Sequence, residues 1–150
     1  MTQNTFVIVS GALFSPEGKL LLLRKAELAQ EADCIVWELP GGRLDFGESP
    51  ELGLVRCFLE TTALDISVDR PLSAWSFLSG AESQMPQHHV HIDFMVRNSS
   101  AFLGVDIDSD RHAAFTWATQ AAAAEQVNAP AARASVQRAF LALARTRKNL

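Results

Sequence analysis

The sequence predicts a single α/β domain. Three features predict it. Short β-branched and apolar runs are separated by turn-rich polar stretches. Two main helical segments are interleaved with those runs. No repeat, low-complexity linker or composition shift divides the 150 residues, so the expectation is one domain over 1–150. A chain of that length can bury a core without staples. Hydrophobic residues make up 48% and charged residues 20%, the balance of a globular protein and not a disordered one. The formal charge of -4 gives no support for non-specific nucleic-acid binding, which runs on clustered Lys and Arg, although a few local basic groups can still hold a small anion. Cys34 and Cys57 form neither a disulfide framework nor a CxxC pair, and they read as reduced thiols in a cytoplasmic protein. The opening MTQNTFVIVSG has no basic start followed by a long apolar stretch, so no secretory leader is expected. The longest strongly apolar runs are too short to cross a membrane, and no membrane partner is expected.

Residues Phe6 to Phe14 read as a strand, and Ser15-Pro16-Glu17-Gly18 as the turn after it. Leu20 to Leu23 is apolar without interruption, which predicts a strand buried on both faces. Glu27 to Asp33 reads as a polar connection, and Ile35 to Leu39 as a short strand ended by Pro40, Gly41 and Gly42. Ser49-Pro50-Glu51 is a helix start, with an N-cap Ser, a Pro at the first helical position and an acid in the first turn. That helix is expected to run to about Ala63, with Gly53 as a weak point inside it. Strand-like segments follow at Leu64 to Val68, Leu72 to Leu78 and His89 to Val96. Asn98 to Asp110 reads as a loop, Phe115 to Trp117 as a short strand and Thr119 to Gln126 as a short helix. The last helix is expected from near Pro130, with Val136, Phe140 and Leu143 on its core face. Arg145, Arg147 and Lys148 stand in its final turns, where cations suit the helix dipole and read as a solvated end or a binding patch.

The stretch from Trp37 to Leu64, WELPGGRLDFGESPELGLVRCFLETTAL, carries the chemistry. It reads as a strand, a Gly-Gly turn, a short β-like arm, an acidic loop and a capped helix. Adjacent glycines let a backbone approach a ligand closely. Arg56 and Glu60 are neighbours on the helix surface, and Cys57, Glu60 and Thr61 share one face.

This stretch resembles the box of the Nudix, or MutT-like, hydrolases. That box is a Gly, five residues, a Glu, seven residues, then Arg-Glu-hydrophobic-x-Glu-Glu-x-Gly-hydrophobic. Gly42, Glu48 and Arg56 fall at its spacings, Phe58 and Leu64 fill hydrophobic positions, and Glu60 is the first acid of the Glu-Glu pair. The resemblance implies an α/β/α sandwich around a mixed β-sheet. It also implies hydrolysis of a nucleoside diphosphate linked to another moiety, with Mg²⁺ or Mn²⁺ as cofactor. Among site residues it implies Glu60 and the Gly41 carbonyl as metal ligands, with Arg56 and Glu48 bracing the catalytic loop. Arg24 and Gly42 are implied for substrate binding, and a homodimer is compatible with the fold.

The sequence departs from the box at three positions. Cys57 and Thr61 stand where the family has glutamates, and Ala63 where it has Gly. The family's metal face thus keeps only Glu60. Mg²⁺ is often held by one or two carboxylates plus substrate phosphates, so a slow enzyme with an altered metal site is one expectation. A nucleotide-binding or regulatory module without turnover is the other. Asp106, Asp108 and Asp110 lie where family members carry an additional acid, and they also read as a solvated loop. Cys57 as a nucleophile would need a base and a thiolate, for which the sequence identifies no partner, and it reads first as a small residue in a former Glu position. His88, His89 and His91 form a cluster in a strand, with His89 and His91 on one face and His88 on the other. Trp37, Trp75, Phe77 and Trp117 are candidates for base stacking or core packing.

Overall fold

A computed structural model describes residues 4–26, 36–80, 82–100 and 104–148. The expected polar connection from Glu27 to Asp33, Cys34, and parts of the Ile35 strand and the Asn98–Asp110 loop lie outside the described residues. The elements in chain order are β1 (Asn4–Ala12), β2 (Leu20–Lys25), β3 (Trp37–Glu38), β4 (Gly41–Arg43), α1 (Pro50–Thr62), β5 (Ile66–Ser79), β6 (Gln87–Asn98), β7 (His112–Ala118), α2 (Gln120–Gln126) and α3 (Pro130–Lys148).

The strands form two sheets, ordered β4-β1-β6-β5 and β3-β2-β7. The first is mixed, because β1 and β6 run parallel while β1–β4 and β5–β6 are antiparallel. Helices cover both faces. Leu21 and Leu23 of β2 join a core with Leu54 and Phe58 of α1, whereas Leu20 and Leu22 join another with Val136 and Phe140 of α3. Those four leucines are all fully buried, which is why the β2 run shows no polar alternation. Leu143 is only partly buried.

The α1 start is the one its residues dictate. Ser49 is extended (φ -71°, ψ 147°), and its hydroxyl accepts from the Leu52 amide at 3.3 Å. The helix ends on Ala63, whose φ of 61° is left-handed and whose amide donates to the Leu59 carbonyl at 3.0 Å. The box position usually given to Gly is therefore a C-cap that favours Gly.

Two expectations change. Gly41 and Gly42 are not a turn after a strand but part of β4, paired with Ser10 and Val9 of β1. The segments expected at Leu64–Val68 and Leu72–Leu78 are one strand, β5, kept continuous by register shifts between Val68 and Arg70 and between Pro71 and Ser73.

Candidate functional site

The site begins at β4 and the loop that returns to α1. A Cβ on Gly41 would lie 1.9 Å from the Val9 carbonyl oxygen, and one on Gly42 would lie 2.9 Å from Cys57 Sγ. Both glycines are thus required by the protein's own packing. Gly53 belongs to the same arrangement, since a Cβ there would lie 2.7 Å from Glu48 Oε1. The close contact at this helical glycine is with the Glu48 carboxylate and Leu44.

Arg56 organises the loop. Its Nε and Nη2 each donate to Glu48 at 2.8 Å, a two-point fork, and Nη2 also donates to the Arg43 carbonyl at 3.0 Å. The Asp45 amide donates to Glu48 Oε1 at 3.1 Å. The Arg56 guanidinium, followed by the Asp45 amide, lowers the Glu48 pKa from 4.5 to about 2. The same fork raises Arg56 further, so its charge is permanent.

The three positions expected on one helix face separate. Cys57 and Thr61 are buried, while Glu60 is 44% exposed in its side chain. The Thr61 hydroxyl donates to the Cys57 carbonyl at 2.7 Å, so it is committed to its own helix. Burial pushes the Cys57 thiol pKa up, the reverse of what a nucleophile or a soft-metal ligand needs. Glu60 instead meets two guanidiniums: Arg56 Nη1 at 3.2 Å and Arg111 Nη1 at 3.7 Å.

The loop before β7 closes on this helix end. The Asp106 amide donates to the Thr62 carbonyl at 2.9 Å and the Asp108 amide to the Thr61 carbonyl at 3.4 Å. Asp108 also pairs with Arg111 Nε at 3.5 Å. One guanidinium thus bridges the Glu60 and Asp108 carboxylates. Sequence reasoning missed Arg111, because its partner lies on α1, far away along the chain, and no motif marks it. Among the described residues, no group of three or more His, Cys, Asp or Glu side chains could hold a metal ion. Two acids on one cation suit at most a weakly held, largely hydrated Mg²⁺ or Mn²⁺ that takes further oxygens from substrate phosphates.

A second feature lies on the other side of the first sheet. His91 stacks on Trp75 with centroids 3.9 Å apart, and His89 on Phe77 at 4.7 Å. Arg43 lies over the Phe6 ring at 3.6 Å in the same face. Asp93, buried beyond His91, accepts from Trp75 Nε1 at 2.9 Å and from the Ser135 hydroxyl of α3. Burial pushes the His91 pKa down, which favours the neutral ring stacked on Trp75. His88 points to the other face, toward Thr5. Trp37 packs with the α3-side core and Trp117 with the α1-side core. Alternation puts Arg24 on the α3 side with Leu20 and Leu22, so the structure does not bring it to the Arg56–Glu60 cluster. Its Nε is buried and has no hydrogen-bond partner among the described residues.

The family model described as NUDIX domain matches residues 5–142. A MutT-like protein of Streptomyces ambofaciens is 32% identical over 113 residues, which is 75% of this chain and 63% of that protein. A putative 8-oxo-dGTP diphosphatase of Bacillus subtilis is 36% identical over 74 residues, 49% of this chain and 43% of that protein. The matched region is therefore less than two thirds of either relative's length. Among solved structures, a MutT protein from Methanosarcina mazei Go1 superimposes with a TM-score of 0.69 at 21% identity, over 99% of this chain and 98% of that one.

Proposed function

The chain belongs to the NUDIX family, and from that premise we propose that it slowly hydrolyses the phosphoanhydride bond of a nucleoside diphosphate linked to another moiety. The observation that supports this most is the Glu48–Arg56 fork with Glu60 on the same guanidinium, because it keeps the box loop set against α1 with one acid at its edge. Such bracing matters because catalytic groups must be held to within a fraction of an ångström.

A divalent cation bound there would polarise phosphate oxygens and offset charge that develops as water attacks phosphorus. Glu60 is the first candidate to hold it, with Asp108, which shares Arg111 with Glu60, as a second, and the Gly41 carbonyl would be a further ligand on the family resemblance. Arg56 and Glu48 would position the loop. Gly42 keeps β4 packed against Cys57 of α1. Trp75 and His91, and Phe77 and His89, stack face to face on one another, and the ring edges of that aromatic column offer an apolar wall for a base, which supports a nucleotide as substrate.

A second reading is favoured by one specific arrangement. Cys57 and Thr61 are buried where the family has glutamates, and the remaining Glu60 is already paired with Arg56 and Arg111. A binding module would keep this arrangement and lose turnover. The test is release of phosphate or nucleotide from a panel of nucleoside triphosphates, dinucleotides, nucleotide sugars and ADP-ribose, with Mg²⁺ or Mn²⁺. Turnover of any of them supports the hydrolase. Binding without metal and without turnover, at high protein concentration, supports the module.

A further inference from the structure

We propose that the groove between β5 and α3 is a second anion site, which takes an oligophosphate independently of the box. Arg70 on β5 and Arg138 and Arg145 on α3 line a cavity of about 410 Å³, and among the described residues no carboxylate lines it. That volume is in the range of nucleotide-sized ligands. Arg138 and Arg145 are seven residues apart, which on a helix is two turns, or about 10 Å along one face. Three guanidiniums at that spread suit a ligand with more than one phosphate group.

The charge distribution of the chain isolates this surface. Helix α3 holds five of the 13 Lys and Arg residues and none of the 17 Asp and Glu residues. Its dipole accounts for cations in the last turn only. Arg138 lies well before that turn, and Arg70 lies on another element. Arg138 Nη1 is held by the Ser73 hydroxyl at 3.2 Å, a neutral partner that leaves its charge uncompensated. The floor of the groove includes Leu72 and Leu141, and Leu141 is 56% exposed, so an apolar body attached to the phosphates would also be accommodated.

The test is calorimetric titration of the whole protein, in EDTA, with inorganic tripolyphosphate and with ATP. Arg138→Gln/Arg145→Gln is expected to weaken binding by about tenfold or more, the loss expected for charge-assisted contacts. Arg147→Gln/Lys148→Gln removes the same charge from the same helix outside the groove and is expected to change binding by less than about twofold. Tighter binding of ATP than of tripolyphosphate would identify a nucleotide as the source of the phosphates, and equal binding would identify the bare chain. Arg70→Gln gives the same reading from β5 should the helix variant fail to fold. No binding, or equal losses from both double variants, would overturn the proposal.

Discussion

Glu48 and Arg56 face each other through two parallel 2.8 Å hydrogen bonds, and this fork ties the acidic loop to α1. Its pH dependence follows from the depressed Glu48 pKa, about 2 against 4.5. A folded-state value below the unfolded one stabilises the fold above the unfolded value, and the benefit is lost as pH falls through the folded one. The Tm advantage of the wild type over Glu48→Gln is therefore expected to be full at about pH 6 and to shrink from about pH 4.5 toward pH 2. Parallel melts across that range check it, and an advantage that stays constant would contradict the fork as the cause.

Ala63 ends α1 with a φ of 61°. A left-handed residue with a Cβ costs roughly 1 kcal/mol, which Gly avoids. Ala63→Gly is expected to raise stability by about that amount, or about 2–4 °C in Tm for a chain of this size. Thermal or denaturant unfolding checks it.

Restoring the missing acids should restore cation affinity and lower stability. Cys57 and Thr61 are 2% and 1% exposed, so Cys57→Glu/Thr61→Glu places carboxylates in a packed site. Mn²⁺ titration by calorimetry or paramagnetic resonance is expected to show binding at least about tenfold tighter than in the wild type. Unfolding without metal is expected at lower denaturant, because unpaired buried charge is costly.

The parts of the fold set by neighbouring residues were legible in the sequence. Ser49-Pro50 marks its helix by local capping, and Leu20–Leu23 marks a strand covered on both faces by its lack of alternation. The family resemblance is likewise carried by spacing within one stretch. What was not legible depends on distant partners. Gly41 and Gly42 are strand residues because β1 lies beside them, and β5 is one strand because β6 carries it across its irregularities. Helical spacing puts Cys57, Glu60 and Thr61 on one face, yet packing against β4 and the loop before β7 buries two of them and leaves Glu60 exposed to Arg111. The role of Arg111 appears only when α1 and the loop before β7 are brought together.

On the proposed function, Glu60, braced by Arg56, still supports turnover. The most direct measurement compares product release by the wild type and Glu60→Gln on the nucleotide-linked panel with Mn²⁺. Slow release by the wild type is expected, with a loss of about tenfold or more in Glu60→Gln and the fold unchanged by circular dichroism. Equal release by both proteins, or none from the wild type at high concentration, would contradict it.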